Sequence, residues 1–427
     1  MKPLKLMHRR NKAWSHIIVG AGAAGCVLAA RLSENPDTNV LLIEAGGSGW
    51  FDPMLKVPMM TALLLGGRRH VWQYETEPEA GLAGRKVALP RGRVLGGSTA
   101  INGMVYVRGL AQDYDIWAQG GLPEWSWDKV QPYFLKSEAF DGLGSLKHHG
   151  YDGPLTVSRR NRPVSPLVDA FVQAGLAAGH PRCEDFNGAD PEGFGYYHFT
   201  IRNGRRESTA TSFLAGAIDR PNLTILTNAE VSRIIFNGKR ASAVELIKRG
   251  KVETLVALKE IVLCGGAIGS PAILMRSGVG AASELMALGI KPVTDRPGVG
   301  ENLHDHVLIR VCHEAPAKFT LHGLTRVDRA AAAFLQAWIL GKGPMTVFPL
   351  EAGAYLRGPG ADLPNIQSHF LPALSSATVR FNPFKTLSNS GSGFMANASL
   401  MRPASRGRLK LTHRDYGAPL DISVNYL

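Results

Sequence analysis

The sequence of 427 residues predicts a mixed α/β fold that opens with a β-α-β unit. Residues 16–19 form a β-branched run, 23–32 have helical character, and 39–43 form a second apolar run. The turn between the first strand and the helix reads Gly-Ala-Gly-Ala-Ala-Gly at 20–25. Because the connections are short, the two strands are expected to be parallel, with the helix packed across them in a Rossmann-like arrangement.

The rest of the chain predicts further helices and strands around loop-rich segments. Helical character is found at 114–119, 127–134 and 163–179, after a glycine-rich stretch over 46–110. Ser270 and Pro271 are expected to open a later helix as its cap and first residue. Short strands are predicted at 223–227, 231–236, 243–247 and 252–257 as an antiparallel meander, at 260–263 as a separate buried strand, and at 409–412.

Composition limits the classes of function. The net charge is +13, but Lys and Arg are spread along the chain without a basic stripe, so nucleic-acid binding is not expected. Peripheral membrane contact stays open, whereas no apolar stretch is long enough to span a bilayer. Four widely spaced cysteines without a CxxC pair, and a basic start that lacks an apolar signal segment, predict a cytoplasmic location.

The turn at 20–25 matches a dinucleotide fingerprint. Gly20 allows the tight turn, Gly22 lets a pyrophosphate approach the backbone, and Gly25 lets the helix pack closely on the sheet. Glu44 ends the second strand and is suited to accept hydrogen bonds from ribose hydroxyls. The alternative is a glycine-rich packing joint that holds no ligand. The fingerprint by itself does not choose between FAD and NAD.

Five segments narrow that choice. In chain order they cover residues 17–29, 41–47, 91–106, 266–280 and 297–306. Together they resemble the glucose–methanol–choline (GMC) oxidoreductases, most closely the choline dehydrogenase-like branch, and the likeness runs from about residue 14 to the last residue. The resemblance implies an FAD-dependent enzyme in which an alcohol's carbinol carbon gives a hydride to flavin N5. It also implies a small-molecule alcohol substrate and an electron acceptor, either oxygen or a quinone-type carrier.

The resemblance also implies a domain plan and a set of cofactor contacts. An FAD-binding domain would span 14–310, with inserted substrate-side segments around 151–205, and 311–427 would form an incomplete α+β substrate-binding domain on an antiparallel sheet. The 102–105 loop would lie along the isoalloxazine. The residues expected to contact FAD are Gly20, Gly22, Ala23, Ala24, Gly25, Glu44, Ala45, Val94, Gly97, Ser98, Asn102, Gly103, Met104, Val105, Val231 and Gly266.

No catalytic residue is nominated. In the family, the base is a histidine in a His-Pro-x-Gly-Thr-like segment, which this sequence does not contain, so the expectation is a truncated chain whose catalytic histidine lies beyond Leu427. Such a chain is expected to hold FAD weakly and to oxidise alcohols poorly. The histidines at 313, 322, 369 and 413 match no catalytic motif.

Two other segments each contain a pair of histidines. The segment His304-Asp305-His306 is expected to lie near the cofactor without binding a metal, because no further ligands are close in the sequence. His148 and His149 are expected to be solvated in a loop.

Three functions stay open at this point. The first is a flavoenzyme of alcohol oxidation, the second a non-catalytic FAD-binding remnant, and the third an NAD-dependent dehydrogenase. The sequence does not identify the alcohol or the oligomeric state.

Overall fold

The structure is a computed structural model, and it describes residues 14–142, 144–145, 147–159, 163–374 and 391–427. The helices are α1 (Ala23–Leu32), α2 (Pro53–Lys56), α3 (Thr61–Gly66), α4 (Ala111–Gln119), α5 (Trp127–Ser137), α6 (Pro166–Ala177), α7 (Gly266–Arg276), α8 (Ala282–Ala287) and α9 (Val327–Leu335). No helix in these ranges is long and apolar enough to cross a membrane.

The strands, in chain order, are β1 (Trp14–Val19), β2 (Val40–Ile43), β3 (Val71–Glu75), β4 (Ala88–Gly92), β5 (Val105–Tyr106), β6 (Glu138–Asp141), β7 (Leu155–Ser158), β8 (Gly193–Tyr196), β9 (His198–Phe199), β10 (Ile201–Arg202), β11 (Arg205–Arg206), β12 (Leu223–Leu226), β13 (Glu230–Asn237), β14 (Arg240–Lys248), β15 (Lys251–Leu263), β16 (Val279–Gly280), β17 (Thr294–Asp295), β18 (Glu301–Leu303), β19 (Leu308–Glu314), β20 (Ala352–Leu356), β21 (Ile366–Leu371), β22 (Gly393–Leu400), β23 (Gly407–Leu411) and β24 (Leu420–Ser423).

The predicted β-α-β unit is present at the centre of a six-stranded sheet. The strand order is β12-β2-β1-β15-β14-β13, and β1 pairs in parallel with both β2 and β15. Ile17 and Ile18 point to opposite faces of β1, and both are completely buried. The neighbouring strand β2 is apolar and buried at all four positions, as is usual for a strand covered on both faces of a parallel sheet.

Two strand predictions in this sheet are wrong. The segment predicted at 223–227 does not join the antiparallel meander. It forms β12, which pairs in parallel with β2, because Leu223 and Ile225 are buried against α1 in one hydrophobic cluster. The segments predicted at 252–257 and 260–263 form one strand, β15. Its first half pairs antiparallel with β14 and its second half pairs in parallel with β1.

The helix predicted to open at Ser270 begins earlier. Helix α7 starts at Gly266, with Gly265 at the cap position and Pro271 inside the helix. No side chain caps this end, so the Ser270–Pro271 pair does not play its predicted role. The chain leaves β15 through Cys264 and turns at Gly266, whose φ of +72° favours glycine, so the helix can begin directly after the strand.

A second, antiparallel sheet joins distant parts of the chain. Its order is β19-β22-β21-β20-β8, so β8 from the 151–205 region pairs with strands from the 308–400 region. Helix α6 packs Val168 and Val172 against this sheet. A smaller sheet, β18-β23-β24, packs Leu409 and Ile422 against α7 and the β3–β4 hairpin. Leu420 and Ile422 of the smaller sheet lie beside the carboxyl ends of the parallel strands.

Candidate functional site

A cleft of about 860 Å³ opens at the carboxyl ends of β1, β2 and β15. Its floor includes Val19, Ile43 and Leu263, the last residues of these strands, and the start of α1. Open α/β sheets bind their ligands at this edge, where the chain turns from strands into helices. The cleft is therefore where the residues predicted to bind a cofactor should meet.

The three glycines of the fingerprint have different surroundings. Gly20 has a φ of +98°, and a Cβ there would lie 2.5 Å from the Cys264 carbonyl oxygen. A Cβ on Gly25 would lie 1.9 Å from the Gly20 carbonyl oxygen, so Gly25 is required for packing within the turn. A Cβ on Gly22 would meet only the Cys264 oxygen, at 3.9 Å. Gly22 therefore borders open space at the start of α1.

The carboxylate of Glu44 lies in this cleft and is 5% exposed. The backbone N–H of Ala21 donates to Oε2 and that of Gly46 donates to Oε1, each at 2.9 Å. Burial raises the pKa of Glu44 to about 7, although these two N–H donors and the nearby Arg93 oppose the shift. The carboxylate thus connects the glycine turn at 20–25 to the end of β2. Each of its oxygens keeps a second lone pair that can accept a hydrogen bond from a ligand.

A second glycine turn forms the adjoining wall. The 3-10 helix Gly97–Ala100 begins there, and a Cβ on Gly97 would lie 2.7 Å from the Cα of Gly22. The hydroxyl of Ser98 accepts a hydrogen bond from the Gly92 N–H at 3.1 Å. Gly97 and Ser98 both line the cleft. The two turns thus touch, and the contact requires glycine at Gly97, whereas Gly22 would admit a Cβ.

Helix α7 points its first turn into the same cleft. A Cβ on Gly266 or on Gly269 would meet no atom within 4 Å, so both residues face open space. Its last residue, Arg276, also lines the cleft, and the buried Nε of that side chain has no hydrogen-bond partner among the described residues. Burial lowers the pKa of Arg276 from its ordinary value. An orphaned cationic donor and a free helix N-terminus both suit an anionic ligand.

Ten of the sixteen predicted cofactor residues line this cleft. They are Gly20, Gly22, Ala23, Ala24, Glu44, Ala45, Gly97, Ser98, Val231 and Gly266. The other six do not line it: Gly25, Val94, Asn102, Gly103, Met104 and Val105. The side chain of Val94 is fully buried in a neighbouring core cluster.

The 102–105 loop follows directly after the cleft wall. The N–H of Asn102 donates to the Ser98 carbonyl at 2.9 Å, which links the loop to a residue of the wall. Met104 has a φ of +61° and a buried side chain. A Cβ on Gly103 would lie 3.1 Å from the Phe348 ring. The loop is a tightly fixed extension of the cleft wall.

Sequence reasoning missed the aromatic and cationic lining on the opposite side. Trp72 and Tyr74 on β3 stack with ring centroids 5.9 Å apart, and Arg93 lies 4.3 Å above the Trp72 ring. Tyr416 packs against Arg276 at 5.3 Å. The alternation of Trp72, Gln73 and Tyr74 is typical of a strand with one aromatic face, which is the signal that could have indicated this surface.

The expectation that His149 is solvated is wrong. Its side chain is fully buried and stacks on Phe140 with ring centroids 3.8 Å apart. Nδ1 lies 3.0 Å from Glu138 Oε1, and Nε2 lies 2.7 Å from Asp185 Oδ2. Burial opposes a charged ring, but these two carboxylates outweigh it and raise the pKa of His149 to about 9. The two carboxylates stabilise the charged ring by more than the loss of its hydration costs, so His149 is held as an imidazolium.

His149, Asp185 and His198 lie close enough together to be considered as metal ligands. The contacts of His149 favour a proton instead, because each ring nitrogen already faces a carboxylate. Burial lowers the pKa of His198 to about 4, so that ring is neutral beside the pair. Arg108 donates to Glu138 at 2.5 Å and balances its charge. This group has the composition of a buried ion-pair network.

The remaining histidines do not line the cleft. In the segment at 304–306, Tyr426 donates to Asp305 at 3.0 Å, and His306 Nε2 lies 3.0 Å from the Met401 carbonyl. These contacts join β18 to the 401–427 segment. Burial lowers the pKa of His369 to about 4. Among the residues that the structure describes, the lining includes no histidine.

A model of the GMC oxidoreductase family matches residues 14–308. The chain is 43% identical over 418 residues to the oxygen-dependent choline dehydrogenase of Paraburkholderia phytofirmans, covering 97% of this chain and 73% of that protein. It is 44% identical over 420 residues to the protein of the same name from Paraburkholderia phymatum, covering 97% and 72%.

Solved structures share the fold. Pyridoxine 4-oxidase from Mesorbium loti superposes with a TM-score of 0.82 at 34% identity, covering 97% of this chain and 76% of that one. An Aspergillus oryzae formate oxidase variant superposes with a TM-score of 0.88 at 26% identity, covering 97% and 78%.

The family match includes the fingerprint turn, Glu44, the second glycine turn and α7. It confirms the predicted α/β fold and the predicted class of FAD-dependent oxidoreductase acting on alcohols. It also favours the flavoenzyme over the NAD-dependent alternative, since the segments at 91–106 and 266–280 are parts of the matched region. The chain belongs to the GMC oxidoreductase family.

Proposed function

We propose that the cleft binds FAD and that the chain oxidises the CH–OH group of a small alcohol. The observation that carries this proposal is the open space beside Gly22, bordered by the buried carboxylate of Glu44 and the start of α1. When bound, the flavin would accept the hydride from the carbinol carbon. Choline is the first alcohol to test, because the relatives described above are named choline dehydrogenases.

The chain's own groups suit the two ends of such a cofactor. Backbone N–H groups at the start of α1 are suited to a pyrophosphate, and the positive end of the helix dipole favours its charge. Glu44 would accept hydrogen bonds from the adenosine ribose hydroxyls, and Ala45 and the backbone of Val231 would lie along the adenosine. Gly97, Ser98 and Gly266 would border the phosphates from the facing walls.

The six predicted residues outside the lining have supporting roles in this proposal. Gly25 and Val94 would fix the two glycine turns through packing, since both are buried. Asn102, Gly103, Met104 and Val105 would continue the wall toward the isoalloxazine. The acceptor of the cofactor's electrons is proposed to be oxygen or a quinone-type carrier, and the location is proposed to be cytoplasmic. No residue of the described lining is assigned as the base.

Anaerobic reduction of bound flavin tests the proposal. The purified chain is mixed with FAD, freed of unbound cofactor, and titrated with choline and then with simple primary alcohols. We expect the absorbance of oxidised flavin to bleach with at least one alcohol, and the Gly22→Ala variant to retain little flavin. Flavin that stays bound but is never reduced by any alcohol would instead support a non-catalytic FAD-binding protein.

A further inference from the structure

A buried arginine holds the 102–105 loop from behind. Arg206 is the last residue of β11, which forms a two-stranded hairpin with β10. Asn203 and Gly204, both with positive φ, form the tight two-residue turn that joins β10 to β11. The Arg206 side chain is directed away from solvent, and the residue is only 6% exposed. Arg205, its neighbour on the same strand, is exposed.

The guanidinium of Arg206 makes several contacts with the loop and its support. Nη1 donates to the carbonyl oxygen of Asn102 at 2.6 Å and to Asn102 Oδ1 at 2.9 Å. Nη1 also lies 3.5 Å from the Thr99 carbonyl oxygen. Nη2 donates to the hydroxyl of the buried residue Thr61. One planar group thus fixes both the main chain and the side chain of Asn102.

The orientation of Asn102 in turn fixes Met104. Asn102 Oδ1 also accepts the backbone N–H of Met104 at 3.1 Å. Met104 lies in the left-handed region at φ +61°, which is costly for a residue other than glycine. An acceptor held in place by a guanidinium offsets part of that cost. The path from Arg206 through Asn102 to Met104 therefore determines the shape of the loop.

No carboxylate in the part of the chain that the structure describes balances the charge of Arg206. Among the described residues, no Asp or Glu forms an ion pair with it, and its Nε has no hydrogen-bond partner. The neighbouring carboxylate of Glu207 instead faces Arg202, 2.8 Å away. Burial lowers the pKa of Arg206 to about 9. A buried cation held only by neutral acceptors is costly, so packing alone is a poor reason to place one there.

We propose that Arg206 is a positioning residue for the cofactor: it holds Asn102 and Met104 in the conformation that presents the 102–105 loop to the flavin ring. This inference rests on the proposed binding of FAD in the adjoining cleft. The residue acts through the loop. Its loss should therefore change the order of the loop in the free protein and the environment of the flavin in the loaded protein.

The test compares Arg206→Gln and Arg206→Lys with Arg205→Gln as the matched control. Arg205 lies on the same hairpin, and its Nη2 donates to the carbonyls of Trp338 and Ile339, away from the loop. Hydrogen exchange of the 99–107 peptide is measured without FAD. The affinity for FAD and the visible spectrum of the bound flavin are measured with it. Asn102→Ala, which leaves the cation in place, serves if Arg206→Gln does not fold.

We expect Arg206→Gln to speed exchange in the loop about tenfold, to weaken FAD binding about tenfold, and to shift the flavin spectrum. Arg206→Lys should recover part of each effect, Asn102→Ala should speed loop exchange, and Arg205→Gln should stay within about twofold of the parent protein. Unchanged loop exchange in Arg206→Gln, or a loosened loop with unchanged FAD affinity and spectrum, would overturn the inference. If the parent chain binds no FAD, the proposed function fails, and the exchange data alone decide whether Arg206 orders the loop.

Discussion

Gly22 and Gly25 stand in the same turn but meet different constraints. The Gly25 position is closed by the Gly20 carbonyl oxygen, whereas the Gly22 position borders the cleft. We therefore expect Gly25→Ala to lower the free energy of unfolding by about 3 kcal/mol, because the backbone must move to admit a methyl group. Gly22→Ala should change it by less than about 0.5 kcal/mol. Denaturant unfolding of the two variants, without FAD, checks this difference.

The buried carboxylate of Glu44 predicts a pH dependence. Its pKa is about 7 in the folded protein and 4.5 as the ordinary value, so the folded state keeps a proton that the unfolded state releases. The contribution of this group to stability therefore falls as pH rises from about 4.5 to 7, by roughly 3 kcal/mol. Glu44→Gln lacks this dependence, and the stability of the variant relative to the parent should rise over the same window. An unchanged difference across that window would contradict the assignment.

Ionised Glu44 is also the form that accepts hydrogen bonds from ribose hydroxyls. In the parent protein, we expect the affinity for FAD to increase as pH rises through about 7. Equilibrium titration with FAD at pH 6 and pH 8 measures this change, and Glu44→Gln should show a smaller one. Equal pH dependence in both proteins would show that another group controls binding.

At the scale of elements, His149 joins β6 to the loop that contains Asp185. Its pKa is raised from 6.5 to about 9, so its contribution to stability is complete below pH 6.5 and is lost as pH rises through about 9. His149→Gln should destabilise the protein by roughly 2 kcal/mol at pH 6, and by less at pH 10. Thermal or urea unfolding at both pH values tests this, with His148→Gln as the control. A loss of equal size at both pH values would argue against an imidazolium.

The sequence predicted elements well wherever a local pattern determined them. The first strand, α1 and the second strand follow from apolar periodicity and three glycines, and they appear close to their predicted bounds. The partner of β12 could not be predicted in this way, because an apolar run of four residues fits a parallel or an antiparallel neighbour equally well. The continuity of β15 was hidden by the two exposed residues between the predicted strands, Leu258 and Lys259.

The site shows the same division. Glycines and Glu44 were predictable because their roles depend on chain geometry close in sequence. His149 was not, since its partners Glu138 and Asp185 come from separate elements that only the tertiary fold brings together. Arg206 was missed for the same reason, as it contacts Asn102 across a large sequence separation. The expectation of weak FAD binding stays a prediction.

At the scale of the whole molecule, the cleft is formed by elements from both ends of the chain. The fingerprint turn comes from the start of the sequence and α7 from its second half. Ile422 comes from the last strand, β24, and Tyr416 from the connection that precedes it. Most strands of the antiparallel sheet that includes β8 and β19 lie beyond residue 308, where the match to the family model ends. The proposed function therefore depends on whether this cleft, built from both ends of the chain, binds the proposed ligand.

Equilibrium titration of the purified chain with FAD and, separately, with NAD⁺ tests that dependence most directly. We predict that FAD binds at least about tenfold more tightly than NAD⁺, and that Gly22→Ala loses most of the FAD affinity while its unfolding curve stays unchanged. Tighter binding of NAD⁺, or FAD binding that is unaffected by Gly22→Ala, would contradict the proposed identity of the ligand.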